Sequence, residues 1–161
     1  MNAITILRRV RAAEEEIGRL NLQLQQRWDA LTGISAPQAD PNGGSRGSAD
    51  PDKNGRIMGD IDQLERKIRR RKERLEAETV AALALLDMLP NLESKVLHAY
   101  YLKHCSTTDI ARREKYTQGY VRRVKRQAET VLGMLSQERV DGTLPRWYLQ
   151  EDPEDGKGGK A

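Results

Sequence analysis

The chain has 161 residues, with 37% hydrophobic and 32% charged residues, no Phe and only 4% aromatics. Such a composition excludes a large packed core and favours one small domain with extended helices. The net charge of +4 is modest, so where the charge lies matters more than its total.

The first 31 residues carry no Pro and one Gly, Gly18. Ala3, Val10, Ile17, Leu24 and Leu31 recur every seven positions, and Ile6, Ala13 and Leu20 lie three later. This is an a/d heptad pattern and predicts one long helix with a coiled-coil seam. The stretch "TGISAPQADPNGGSRGSADPDKNG", Thr32 to Gly55, is rich in Gly, Pro, Ser and Asp. It has little to bury and reads as a flexible linker, giving a loop over residues 32–56.

Periodicity resumes at Ile57: Ile57, Leu64, Arg71, Glu78 and Leu85 fall seven apart, with Ile61, Ile68, Leu75, Ala82 and Leu89 as companions. The seam is apolar except at Arg71 and Glu78. Two helices of similar length across a loop predict an antiparallel hairpin. If Leu31 faces Ile57, facing residue numbers sum to about 88. That register sets Glu14, Glu15 and Glu16 near residues 72–74, so the basic run Arg66–Arg74 reads as a solvated, partly paired face, with a secondary DNA-backbone contact as the alternative. Pro90 ends the second helix.

Asn91 is a candidate N-cap for a helix with an apolar stripe of Leu92, Val96, Leu97, Tyr100 and Tyr101. Tyr100 and Tyr101 read as core with wet hydroxyls, the alternative being stacking on bases. Ser106 and Asp109 have capping-box spacing at the start of a short helix that buries Ile110 and Ala111 and exposes Arg112 and Arg113. Thr117 caps the next helix, expected to run to about Gln137. Val121, Val124, Ala128, Val131 and Leu135 form its buried face, and Gln118, Gly119, Arg122, Arg123 and Arg126 fall on the opposite side. The tail from residue 138 is expected to be mostly irregular, with Leu144, Trp147, Tyr148 and Leu149 either packing back on the body or docking a partner; disorder is expected beyond Gln150.

Between Leu92 and Leu135 there are 9 Lys/Arg and 4 Asp/Glu, a net of 9 − 4 = +5, whereas from Gln137 to Ala161 there are 4 and 6, a net of −2. A short helix, a tight turn and a longer helix with an outward face of Arg and Gln predict a helix-turn-helix entering the major groove of duplex DNA. Arg offers a bidentate fork to guanine and Gln one to adenine. Gly119 lets the helix approach closely. The base-reading set is therefore Gln118, Gly119, Arg122, Arg123 and Arg126, with Arg112, Arg113, Lys115, Thr117 and Lys125 on flanking phosphates.

The run "LPNLESKVLHAYYLKHCSTTDIARREKYTQGYVRRVKRQAETVL" resembles region 4 of bacterial sigma factors, with a Leu/Val-rich helix, a "T/S-x-x-E/D-I-A" helix and a turn leading into "S/T-x-x-x-V-R-R". With the hairpin and its Gly/Ser-rich loop, the chain looks like sigma-region-4-like phage and prophage proteins, in the style of the ArpU and RinA groups of transcriptional regulators. The region-4 resemblance covers residues 89–135; that of the hairpin is architectural. It implies binding of promoter-like duplex DNA and contact with host RNA polymerase, with the family's reading positions falling on Gln118, Gly119, Arg122 and Arg123. Two departures stand out. Glu114 and Lys115 occupy a turn that commonly carries an apolar residue and then Gly, so a non-Gly residue is expected in a left-handed conformation. Gly119 stands where a base-contacting side chain is frequent.

The expected architecture is all-α: a coiled-coil hairpin over residues 1–89, a helix-turn-helix over 90–137, and a tail over 138–161. The expected function is phage-type transcriptional regulation in the bacterial cytoplasm, at the nucleoid, with a homodimer formed through the hairpin. A small-terminase-like packaging subunit and a polymerase-binding interaction protein are the rival readings. His98, His104 and Cys105 lack the second cluster a zinc site needs, so no metal or cofactor is expected. No catalytic constellation, signal peptide or membrane span is legible. The single Cys105 suits a reducing compartment.

Overall fold

The structure is a computed structural model and describes residues 1–32 and 52–150. Among these residues every regular element is helical: α1 (Ala3–Thr32), α2 (Lys53–Leu86), α3 (Asn91–Leu97), a π-helical turn (His98–Leu102), α4 (Thr107–Glu114), α5 (Gln118–Gly133), α6 (Gln137–Asp141) and α7 (Arg146–Gln150). No helix among them is long and apolar enough to cross a membrane. Most of the Gly/Ser/Pro-rich linker and the stretch beyond Gln150 lie outside the described residues. The linker's expected end is corrected, because α2 begins at Lys53 rather than Ile57.

The chain divides into two compact units, residues 14–72 and residues 1–13 with 73–161. In the first, Ile17, Leu20, Ile57, Ile61 and Ile68 are buried, all at heptad positions. Arg71 Nε donates to Glu16 Oε2 at 2.8 Å, and Arg27 lies 3.7 Å from Asp60. Both pairs sum to 87, so the two helical segments run antiparallel within one residue of the expected register. The heptad break at Arg71 is thus answered by an acid from the facing helix.

In the second unit the seam positions Ala3, Ile6, Val10, Ala82, Leu85 and Leu89 are buried, but so are Leu7, Ala77, Ala81 and Leu86. These extra residues pack with Leu97, Tyr101, Ala128, Leu132, Val140, Leu144 and Tyr148 in one core. Each fully buried Leu, Ile or Val contributes about 1.5–3 kcal/mol. The expectation of an irregular tail is corrected up to Gln150. Ser136 caps α6 through its side chain, and Val140, Leu144 and Tyr148 anchor the two short helices. Trp147 and Leu149 stay about half exposed, so only part of the tail's apolar cluster packs inward.

Glu78, the other heptad break, is 1% exposed. Tyr148 Oη donates to Glu78 Oε1 at 2.6 Å, Arg9 Nη1 donates to Tyr148 Oη at 2.9 Å, and the Arg74 guanidinium lies 4.4 Å from the Tyr148 ring centre. A buried carboxylate is tolerable only with such partners.

Candidate nucleic-acid interface

A smaller core of Val96, Ile110, Ala111, Val121 and Val124 joins α3, α4 and α5. Pro90, not Asn91, holds the N-cap position of α3, with no side-chain cap. The helix then widens into an i→i+5 turn, seen in the Lys103 N–H donating to the His98 carbonyl. Its two tyrosines diverge in role. Tyr101 is buried in the large core and its hydroxyl donates to Glu129 Oε1, whereas Tyr100 is only partly buried and packs against both cores. Burial, then the Glu129 carboxylate, push the Tyr101 hydroxyl far above its ordinary pKa.

Ser106 and Asp109 form the expected capping box at the start of α4. Those Ser106 hydrogen bonds, more than the charges of Arg112 and Arg113, hold the Asp109 carboxyl below its usual range. At the other end Lys115 has φ 59°, the left-handed conformation expected where Gly is commoner. Its own N–H and that of Tyr116 both return to the Ala111 carbonyl, closing the helix. Such a conformation costs a residue with a Cβ about 1–2 kcal/mol. His104, at φ 57°, marks a second left-handed position that the sequence did not signal.

Thr117 caps α5, its hydroxyl accepting from the Tyr120 N–H at 3.2 Å. The helix ends at Gly133, short of the expected Gln137. Its buried stripe is Val121, Val124, Ala128 and Leu132; Val131, expected inside, is 46% exposed. Three turns of an α-helix take eleven residues rather than ten, so Leu132 is the residue that returns beneath Val121.

The expected reading residues fall on the outward side of α5. Gln118, Arg122 and Arg126 form one i, i+4 row, and Gly119 and Arg123 the adjacent row. Gln118 is half-buried and its Nε2 donates to Thr108 Oγ1 at 2.9 Å, tying α5 to α4. Gly119 is exposed, and a Cβ there would meet open space. Arg122, Arg123 and Arg126 are exposed, and among the described residues no acid pairs with them. Arg112, Arg113 and Lys115 are exposed at the end of α4.

Lys125 departs from expectation. Its side chain is 21% exposed, its ammonium contacts Glu129 at 2.8 Å, and it lies 4.3 Å from the Tyr100 ring centre. It is therefore committed inside the protein and is not a free phosphate-holding cation. Sequence reasoning also missed Arg11 of α1, whose guanidinium lies 3.8 Å from the Tyr100 ring centre. Lying just off the heptad seam, it looked like any surface arginine.

Among the described residues no group of three or more His, Cys, Asp or Glu could hold a metal ion, and Cys105 is a free thiol. No known family profile, curated protein or solved structure matches the chain significantly.

Proposed function

We propose that the chain is a sequence-specific duplex-DNA-binding regulator of phage or prophage type, built as a coiled-coil hairpin carrying a sigma-region-4-like helix-turn-helix. The observation that carries this reading is the outward side of α5, where Arg122, Arg123 and Arg126 stand exposed and unpaired among the described residues, beside a glycine in the first turn. Charges that a protein neither buries nor pairs are available to an external anion. An α-helix presenting them on one outward side has the dimensions of the major groove.

In this reading Arg122, Arg123 and Arg126 with Gln118 reach base edges, Gly119 permits close approach, and Arg112, Arg113 and Lys115 flank on phosphates. The N-terminal N–H groups of α5 beside Thr117 supply a further phosphate contact. Leu22 and Met58, about half exposed, offer apolar surface for a homodimer or for host RNA polymerase. The protein would act on DNA at the bacterial nucleoid.

The test is selection of bound duplexes from a random pool at near-physiological salt. An enriched motif is expected, and it should be lost in the Arg122→Ala/Arg123→Ala variant at about 1–3 kcal/mol per base contact. Recovery without a motif, weakening steeply with salt, would reduce the reading to backbone binding and refute sequence specificity.

A further inference from the structure

Beside the α5 face, within the same compact unit, lies a cleft of about 390 Å³. Four cationic side chains line it: Arg11 of α1 and Arg122, Lys125 and Arg126 of α5. Glu129 is the acid in its lining, and that carboxylate already accepts from both Lys125 and Tyr101. The cleft thus keeps three arginines whose charge no acid among the described residues answers.

Arg11 points to what belongs there. Its guanidinium is stacked on Tyr100, and its Nη1 is buried without a hydrogen-bond partner among the described residues. A buried guanidinium nitrogen left bare is costly, and an anion is the ligand that would satisfy it. Thr107, at the first turn of α4, lines the same cleft. The first N–H groups of a helix have no acceptor within the helix and favour negative charge.

We propose that this cleft is a phosphate subsite, with Arg11 as a ligand-binding residue outside the α4–α5 pair. It takes one phosphoryl group between the Arg11 guanidinium and the start of α4, with Arg122 and Arg126 adding positive charge at its rim. A DNA backbone phosphate and a free phosphorylated small molecule share this chemistry. Only the first source rests on the DNA-binding reading above.

The experiment uses the full chain in two arms. In the first, affinity for a mixed-sequence duplex is followed against salt for the wild type, Arg11→Met, and Arg19→Met as a cation of the same helix outside the cleft. Arg11→Met should weaken binding about tenfold or more and lower the log–log salt slope by roughly 0.9, one phosphate contact, leaving sequence preference intact. Arg19→Met should leave the slope unchanged.

In the second arm inorganic phosphate is titrated while the Arg11 Nε–H resonance is followed by NMR. Saturable movement is expected, weakened in Arg126→Met, a substitution at an exposed position. A changed slope identifies the DNA backbone as source; phosphate-driven movement without duplex affinity identifies a free phosphorylated ligand and sinks the regulator reading alone. An enriched DNA motif together with an unmoved Arg11 resonance and an unchanged slope overturns the subsite and leaves the regulator reading standing.

Discussion

Tyr148→Phe tests how the C-terminal helices are held. Tyr148 is 2% exposed, and its hydroxyl sits between Glu78 Oε1 at 2.6 Å and Arg9 Nη1 at 2.9 Å. Phe keeps the ring, so the Arg74 contact and the packing against the core survive and no cavity opens. What disappears is a hydrogen bond to a buried carboxylate, worth about 1.5–3 kcal/mol when one partner is charged. Glu78 retains a further interaction, so the loss should stay within that range and not reach that of a bare buried charge. Urea unfolding followed by circular dichroism should show the midpoint falling at constant m, and thermal unfolding should drop by roughly 3–12 °C. A Tyr148→Phe variant within about 0.5 kcal/mol of wild type would refute the view that this contact anchors α7. The fold would then rest on apolar burial alone.

Removing residues 138–161 should cost more, since Val140, Leu144 and Tyr148 each leave the core at about 1.5–3 kcal/mol apiece. That is comparable with the whole stability of a small domain, so a loss of cooperative unfolding is expected in calorimetry. Lys115→Gly should raise stability by about 0.5–1 kcal/mol by relieving the left-handed backbone, and Lys115→Val should lower it by roughly 1–2 kcal/mol, both measurable by urea unfolding. Burial, followed by the Glu78 and Glu129 hydrogen bonds, raises the hydroxyl pKa of Tyr148 and Tyr101 above the ordinary 10.0. The folded state then holds these protons more tightly than the unfolded chain. Their contribution is fully present below pH 10 and is lost as pH rises beyond it. Alkaline titration of tyrosinate absorbance should show late-ionising groups that vanish in the Tyr101→Phe/Tyr148→Phe variant.

The long helices were legible because a heptad repeat reports one buried seam whatever else surrounds the chain. Where α1 and α2 bury a second face, the repeat was silent. Leu7, Ala81 and Leu86 are inside because other helices cover them, and the covering helices α6 and α7 span five residues each, too short to show a period. Glu78 was visible only as a fault in the seam. Its partner Tyr148 lies 70 residues further along, a distance that no local pattern encodes.

The candidate interface divides along the same line. Local chemistry set the Ser106–Asp109 box, the Thr117 cap and the left-handed Lys115, and each could be read from adjacent residues. The outward rows of α5 follow from helical spacing alone. Lys125 departs from its expected role and Arg11 escapes notice for one reason: the state of a cation is fixed by what tertiary structure sets beside it. The same helix that carries Lys125 supplies Glu129 one turn later, and Tyr100 from the π-helical turn covers the ammonium, so its charge is spent internally. Arg11 meets the same ring yet keeps a buried nitrogen with no acceptor among the described residues. Two cations on one tyrosine ring, one answered by a carboxylate and one not, are what separate a structural lysine from an arginine awaiting an anion.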